Sequence, residues 1–475
     1  MRAKLTFLLS LVFILSTLSA VSAQTVPEYI EKYEIVVELE PGQDVYQQSA
    51  YFLSQLDVPE DQAPTRLNHV YKYALNGYSV FLTLDELDRA SRLLASGDMV
   101  GTHSITLSQA VSIPVLTGPD GAMPETRLLN GYEVVPSGLT RIDAAPKAGE
   151  DFSNVDIAVI DTGVDKYHQD LNVVDGTDCT KPKFDPLTGS PNVVDRSDWG
   201  YDGYGHGTHV AGTIAARDNG QGVVGVAPGA RIWSVRVLDD SGSGTFAAVI
   251  CGIDYVAEHG DQIEIANMSL GGSGVRSTCG GDDPMHNAIC VATEQTVFVV
   301  AAGNSNSDSM DQSPANYPEV ITVSAFTDFD GQPGSAGMPP GDRCAAMSVD
   351  DELAAFSNYG EDVDIAAPGV CTLSTLPSTE NPEGGRTPLY GYASGTSMAT
   401  PHVAGALARF LALNPDQREF ARKQLITWSA ANSQPIPGDH DSIHEPLLYV
   451  GQGVPRYEGP IDPAAEVTPL PAQAP

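Results

Sequence analysis

Three short segments of the chain carry the residue types needed to hydrolyse an acyl bond. Asp161 follows the apolar run 155–160, His206 stands in the small-residue segment 205–212, and Ser397 stands in the similar segment 395–405. A serine alcohol can attack a carbonyl carbon when an imidazole removes its proton and a carboxylate orients that imidazole. Asp, His, Ser is one of the chain orders in which such triads occur.

The segment around Ser397 predicts the start of a helix built from small residues, with Pro401 placed in the first turn, where no donor is needed. Backbone N–H groups at such a start are unpaired and lie at the positive end of the helix dipole. They could therefore receive an oxyanion. Taken alone, a serine at this position is more often only a helix cap.

Together with their flanking residues, these three segments resemble the motifs of subtilisin-like serine proteases, with the proteinase K group as the nearest relatives, over residues 132–451. The resemblance implies that the amide of Asn304, in the segment 301–304, completes an oxyanion hole with the Ser397 N–H. The alternative is an ordinary turn asparagine beside a glycine. The residues that the resemblance assigns to substrate binding are Gly242, Ser243, Gly244, Ser269, Leu270, Gly271 and Gly303. For 242–244, a plain loop after a strand remains the alternative.

The same resemblance implies a structural calcium site. Its ligands would be Glu133, Asp170, Arg217, Asn219, Gln221 and Val223, with Arg217 and Gln221 serving through their carbonyls. Carboxylate, carboxamide and carbonyl oxygens suit a hard cation. By contrast, His209 and His402 are expected to be packed helix residues, because no third ligand of suitable spacing accompanies His206 and His209 for zinc.

Strand-like and helix-like segments alternate between residues 156 and 323, which predicts parallel strands with crossover helices on both faces, a three-layer α/β fold. Active sites of such sheets lie at the carboxyl ends of the strands. Ahead of this domain, residues 34–107 follow a β-α-β-β-α-β order, which predicts a small ferredoxin-like α+β unit. Placed before a protease, this unit resembles the inhibitor propeptide of subtilisins, whose C-terminal segment occupies the cleft; a free-standing binding module is the alternative.

The ends of the chain predict export. Arg2 and Lys4 precede a short apolar run, and 21–23 form a small-x-small cleavage site, which together are typical of a secretory signal peptide rather than a membrane anchor. The expected organisation is a signal peptide at 1–23, a propeptide at 24–110, a linker containing the maturation cut at 111–131, a catalytic domain at 132–451 and a Pro-rich disordered tail at 452–475.

The net charge indicates which partners the chain can bind, and the cysteine content indicates whether it forms disulfides. The formal net charge of −36 at pH 7 repels nucleic acid and anionic membranes. Six cysteines in an exported chain favour disulfides, with fifteen pairings possible. Cys279–Cys290 and Cys344–Cys371 would each close a short loop, which leaves Cys179–Cys251.

The sequence thus predicts a secreted, self-processed, monomeric serine endopeptidase that acts on proteins and is inhibited by its own propeptide. One alternative is a catalytically dead homologue. Another is a lipase of the α/β-hydrolase type, which needs a Gly-x-Ser-x-Gly elbow, whereas Ala399 occupies the position of the second glycine. A proprotein convertase is disfavoured, because the chain after 451 is too short for a further β-domain.

Overall fold

The computed structural model describes residues 32–59, 62–63, 66–97, 99–113, 126–127, 132–147, 150–180, 199–334, 336–340, 349–381, 385–433, 435–439, 441–451 and 455. The signal peptide predicted at 1–23 lies outside the described residues. So do Cys344, most of the linker and most of the C-terminal tail.

The elements alternate along most of the chain. The strands are β1 (Lys32–Leu39), β2 (Leu67–Tyr71), β3 (Gly77–Thr83), β4 (Thr102–Leu107), β5 (Ala110–Ser112), β6 (Thr126–Arg127), β7 (Glu133–Val134), β8 (Asp156–Asp161), β9 (Val173–Asp178), β10 (Gly222–Val223), β11 (Arg231–Arg236), β12 (Ser243–Thr245), β13 (Ile265–Met268), β14 (Gly272–Ser273), β15 (Val297–Ala301), β16 (Gln312–Ser313), β17 (Ile321–Phe326), β18 (Ile365–Pro368), β19 (Thr372–Glu380) and β20 (Arg386–Ala393). The helices are α1 (Val45–Gln55), α2 (Leu84–Ser96), α3 (Ser137–Arg141), α4 (His206–Ala215), α5 (Phe246–Glu258), α6 (Pro284–Ala292), α7 (Thr396–Leu413) and α8 (Ala421–Asn432), with 3₁₀ turns at Ser309–Asp311 and Arg418–Phe420.

The N-terminal unit is the β-α-β-β-α-β arrangement that the sequence predicts. Its sheet has the order β2-β3-β1-β4, with all pairs antiparallel. A capping box begins α2: the Thr83 hydroxyl accepts from the Glu86 N–H, and the Glu86 carboxylate accepts from the Thr83 N–H. Buried side chains of β1, β3 and both helices form a core of their own.

The second unit is organised around a seven-stranded sheet of order β18-β17-β15-β13-β8-β11-β9, in which every pair is parallel. Alternate residues of β8 feed two separate cores. Ile157 and Val159 pack with the residues of α4 and α7, whereas Ala158 and Ile160 pack with those of α5 and α6. Helices therefore cover both faces, and the predicted three-layer α/β fold is confirmed.

Between described residues, the structure contains the disulfides Cys179–Cys251 and Cys279–Cys290, both of which the sequence predicts. The first links the residue that follows β9 to helix α5. Within the described part of the chain, no helix is long and apolar enough to cross a membrane.

One local expectation is wrong: Pro401 does not lie in the first turn of its helix. α7 begins at Thr396, which places Pro401 in its interior. The ring removes the backbone N–H that would have bonded to the Ser397 carbonyl, four residues earlier. The hydroxyl of Ser269 takes that place and donates to the Ser397 carbonyl at 2.9 Å.

Candidate active site

The residues singled out for catalysis meet at one edge of the parallel sheet. Asp161 is the last residue of β8, Ser269 follows β13, and Asn304 follows β15. These three strands are neighbours in the sheet, so their carboxyl ends lie side by side. His206 and Ser397 are brought to this edge at the starts of α4 and α7, which pack on the same face.

Asp161 and His206 form a buried pair. Nδ1 of His206 lies 2.8 Å from Oδ1 and 2.9 Å from Oδ2 of Asp161, and neither side chain is exposed. A carboxylate at Nδ1 fixes the tautomer that carries its proton there, which leaves Nε2 with a lone pair. Among the described residues, nothing bonds to Nε2. The imidazole is therefore set up to accept a proton at that atom.

Ser397 lies in the first turn of α7 and is 2 % exposed. Its hydroxyl donates to the Ser269 carbonyl at 3.2 Å rather than to His206. A serine hydroxyl turns freely about its Cα–Cβ bond, and contacts between nucleophile and base are often formed only once substrate is bound. The bond between His206 and Asp161 is thus already made, whereas the one between Ser397 and His206 requires that rotation.

Asn304 is held by its oxygen. Oδ1 accepts from the backbone N–H of Thr396 at 2.8 Å and from its hydroxyl at 3.0 Å. These bonds leave both Nδ2 hydrogens without a partner among the described residues. The amide nitrogen and the Ser397 N–H, one of the unpaired donors of the first helical turn, could bind one oxyanion between them. If Asn304 were only a turn residue beside a glycine, its two hydrogen bonds with Thr396 would have no explanation.

Asp202 is a supporting residue that the sequence analysis missed. Its carboxylate is buried and accepts from the N–H groups of Gly205 at 2.7 Å and Thr208 at 2.9 Å, as well as from the hydroxyls of Thr162 and Thr208. Burial raises the pKa of Asp202 above its ordinary value, although these hydrogen bonds oppose the rise. Asp202 thus joins the turn after β8 to the first turn of α4. An aspartate four residues before His206, in a Gly-rich turn, was the available signal.

Residues 110–113, at the junction of the N-terminal unit and the linker, lie between the two segments assigned to substrate binding. β5 pairs antiparallel with β12, and Ser112 also forms an antiparallel bridge to Gly271. The Ser112 N–H donates to the Gly271 carbonyl at 3.4 Å and the Ile113 N–H to the Gly242 carbonyl at 3.1 Å. A strand placed this way uses the main-chain bonds of an extended peptide ligand.

The predicted substrate-binding residues divide into two groups. Five of them pair with the strand 110–113, adjoin that pairing or contact Ser397: Gly242, Ser243, Gly244, Ser269 and Gly271. Leu270 instead points into the core and is 2 % exposed. Gly303 has a φ of +108°, and a side chain there would collide with Asn358, so glycine serves the turn before Asn304.

The residues predicted to bind calcium also lie together. Asn219 connects two carboxylates: its backbone N–H donates to Glu133 at 2.8 Å and its Nδ2 to Asp170 at 2.7 Å. The Val223 N–H contacts Asp170 at 3.4 Å, and the short parallel pair of β7 with β10 places Glu133 beside Gly222. Tyr390 was missed: its hydroxyl donates to Asp170 at 2.9 Å.

This donor set fits a hard cation. In the described part of the chain, Glu133 and Asp170 form no ion pair with Lys, Arg or His. Burial raises the pKa of Tyr390, and the nearby carboxylates of Asp170 and Glu133 raise it further. Burial raises the pKa of Glu133, and its neighbour Asp218 adds to the rise. Like charges gathered in this way favour a bound cation. The Asn219 amide oxygen accepts from the Gln221 N–H at 3.0 Å, so a half-turn of the amide that presents this oxygen to a cation would break that bond.

His209 and His402 have structural roles, as the sequence predicts. Nε2 of His209 lies 3.1 Å from the Thr372 carbonyl and 3.0 Å from that of Gly391, so it connects α4 to the β19–β20 hairpin. Burial lowers the pKa of His209 to about 3 and that of His402 to about 4. Both are therefore neutral at physiological pH, and neither belongs to a group of metal-ligating side chains among the described residues.

Comparison with known proteins identifies the family. The model of the subtilase family matches residues 153–452. The chain belongs to the subtilase family. Among its relatives, this subtilase is 38% identical to Subtilisin Savinase of Lederbergia lenta over 284 residues, covering 59% of this chain and 86% of the relative.

One further relative and one solved structure are also similar to this chain. Subtilisin NAT of Bacillus subtilis subsp. natto is 37% identical over 287 residues, which cover 59% of this chain but only 62% of that relative's length. The crystal structure of fervidolysin from Fervidobacterium pennivorans, a keratinolytic enzyme related to subtilisin, matches with a TM-score of 0.62 and 26% identity, covering 90% of this chain and 61% of that one.

Proposed function

We propose that this subtilase is a serine endopeptidase that cleaves peptide bonds in proteins with Ser397 as nucleophile. The observation that carries the proposal is the buried contact of 2.8 Å between Asp161 and His206, at the strand edge to which α7 also brings Ser397. The fixed tautomer supplies a general base at Nε2, and the start of α7 supplies oxyanion donors.

In the proposed reaction, His206 Nε2 takes the Ser397 hydroxyl proton as Oγ attacks the scissile carbonyl carbon. The oxyanion is held by Asn304 Nδ2 and the Ser397 N–H. His206 then donates the proton to the departing amine, which leaves an acyl-enzyme. Water repeats the sequence with His206 as base, releasing the acid and restoring Ser397. Asp161 stabilises the imidazolium in both halves.

The N-terminal unit is proposed to be an inhibitor whose end is the first substrate. Ser112 pairs antiparallel with Gly271. The strand that ends at Ile113 therefore runs in the direction from Gly271 towards Ser269. The Ser269 carbonyl is the group that Ser397 Oγ contacts. The described strand 110–113 therefore runs in the direction of the nucleophile, which favours a maturation cut early in the linker 111–131.

The calcium ion is proposed to be structural. Bound at Glu133, Asp170 and Asn219, it would supply positive charge that joins the start of the catalytic domain to the loop after α4. Secretion and a monomeric state belong to the same proposal. They rest on the predicted signal peptide, on the disulfides and on the strongly acidic composition.

Active-site labelling tests the proposal against a catalytically dead homologue. A fluorophosphonate probe should modify Ser397 in the secreted protein, and Ser397→Ala should abolish the labelling. Casein and a short-chain ester then separate a protease from an esterase. The intact protein should digest casein, whereas turnover of the ester alone would contradict the assignment as a protease.

A further inference from the structure

A second cluster of reactive side chains lies outside the candidate active site, around helix α6. It consists of Cys279, His286, Cys290 and Glu319, and one ligand atom from each lies within 4.8 Å of all the others. The cluster combines two sulfurs, one imidazole and one carboxylate. Those are the ligand types of tetrahedral zinc sites, in which the metal–sulfur distance is about 2.3 Å and the metal–nitrogen distance about 2.0 Å.

These four side chains come from three separate segments of the chain. His286 and Cys290 lie four residues apart on α6, and therefore on one face of that helix. Cys279 comes from the preceding loop, with its Cα 5.9 Å from that of Cys290. Glu319 comes from the turn before β17. Cys279 is exposed and Glu319 is partly exposed, so the cluster can be reached from solvent.

The imidazole of His286 is fixed so that Nε2 faces the other three ligands. Its ring stacks on Tyr317 with centroids 4.1 Å apart and an interplanar angle of 2°. Nδ1 lies 2.7 Å from the hydroxyl of Ser277, which in turn donates to Asp283 at 3.1 Å. The contact with Ser277 holds Nδ1 on the side of the ring away from the other three ligand atoms. An outer partner of this kind is what orients a metal-binding histidine.

The other side of the ring faces the carboxylate of Glu319. Nε2 of His286 lies 2.7 Å from Oε2 of Glu319. The other carboxylate oxygen, Oε1, is 3.2 Å from Sγ of Cys279. A cation at this point would contact the nitrogen, the carboxylate and the sulfur together.

We propose that, when Cys279 and Cys290 are thiols rather than a disulfide, they bind Zn²⁺ together with His286 and Glu319. Two thiols lose their protons to solvent as the metal binds, so the ligands are two thiolates, neutral imidazole and carboxylate. Side-chain rotation must bring the sulfurs to about 3.8 Å apart, the separation set by two zinc–sulfur bonds at a tetrahedral angle. The resulting complex has one net negative charge, which Arg422, a cation close enough to act on Glu319, partly offsets.

The disulfide and the metal are therefore alternative occupants of one site. In the disulfide the two sulfurs are bonded to each other and supply no thiolate. Every chain is synthesised with thiols, so the metal-binding state precedes the disulfide and needs no reductant at that stage.

Cobalt(II) tests the proposal, because it occupies zinc sites and reports thiolate ligands by sulfur-to-metal charge-transfer absorption. The full chain carrying Ser397→Ala, which removes self-digestion, is reduced with a water-soluble phosphine. Each disulfide accepts two electrons from the phosphine, and water supplies two protons and the oxygen of the phosphine oxide. Titration with cobalt(II) should give charge-transfer and tetrahedral d–d bands that zinc(II) then removes. The unreduced protein should give none.

Variants assign the signal to this site. The double substitution Cys279→Ser/Cys290→Ser keeps the other four cysteines and should abolish the charge-transfer band. Glu319→Gln keeps both thiols and should weaken cobalt binding at least tenfold. The matched control is Glu294→Gln, an exposed residue of the same region, which should bind cobalt as the parent does.

Two results would overturn the proposal: no charge-transfer band in the reduced parent, or a band that survives in Cys279→Ser/Cys290→Ser. If that double variant loses its near-ultraviolet circular dichroism, it is not folded and Glu319→Gln decides. Equal cobalt affinity in Glu319→Gln and Glu294→Gln would then reject the site.

Discussion

At the scale of single residues, the site depends on side chains whose freedom has been removed by neighbours. Asp161 holds one nitrogen of His206, Thr396 holds the oxygen of Asn304, and Ser269 contacts Ser397 through both its hydroxyl and its carbonyl. The first two contacts leave Nε2 of the imidazole and Nδ2 of the amide available. The Ser397 hydroxyl must leave the Ser269 carbonyl before it can donate to His206.

Asn304→Leu should lower kcat by about 10²–10³-fold with little change in KM, the loss known for the oxyanion-hole amide of subtilisin, a relative of this chain. The reason is that Nδ2 donates to charge that exists only in the transition state. Steady-state kinetics on a peptide substrate checks it. An unchanged kcat would show that Asn304 serves the turn alone.

The sequence allowed prediction of these residue types but not of their supports. Motif order and strand ends were sufficient to single out Asp161, His206 and Ser397. The role of Ser269 as donor to the Ser397 carbonyl was not predictable from a local pattern, because it depends on Pro401 lying inside the helix and on a strand 128 residues away. Local rules place proline at helix starts, and tertiary packing overrides them here.

At the scale of elements, parallel strands bring distant segments to one edge, and helix starts complete the site. The apolar run 155–160 corresponds closely to strand β8, because a continuous apolar run bounded by polar residues is a strong signal. The α6 helix and the β19–β20 hairpin were not predicted. Cys290 had been considered only as a disulfide partner, and the hairpin has little apolar alternation.

The proposed calcium site joins three elements, so removing the ion should loosen all of them. Chelation should lower the midpoint of thermal unfolding by roughly 5–10 °C, because a ligand present at about a hundred times its Kd contributes about 2.7 kcal/mol. Autolysis should become faster.

Glu133→Gln should reduce that shift, because it removes one of two carboxylates at the site. The exposed Glu294→Gln is the control and should retain the full shift. Calorimetry with and without chelator measures both. A midpoint that does not respond to chelation in the parent protein would mean that no such ion is bound.

At the scale of the whole molecule, the N-terminal unit is attached to the catalytic unit by more than the strand in the cleft. Asp254 of α5 is buried, and its carboxylate accepts from three consecutive N–H groups, those of Lys72, Tyr73 and Ala74, at 2.6–3.1 Å. Beside it, the Tyr71 hydroxyl donates to the Ala247 carbonyl at 3.1 Å. Hydrogen bonds to a charged group contribute about 1.5–3 kcal/mol each.

Asp254→Ala should therefore make the processed N-terminal unit dissociate at least tenfold faster and shorten the lag before activity. The control is Asp261→Ala, an exposed aspartate beyond the end of the same helix. Size-exclusion chromatography over time follows the dissociation. Equal lifetimes for the two variants would indicate that the cleft strand alone holds the complex.

The central claim is that one serine, activated by His206, cuts the chain's own linker. Mass spectrometry of the secreted product, with and without Ser397→Ala, tests it most directly, because loss of this nucleophile costs on the order of 10⁶ in turnover in subtilisin. We expect an intact precursor for the variant and, for the natural protein, a new N-terminus within the first few residues after Ile113. Identical cleavage of both proteins would show that Ser397 does not cut the linker.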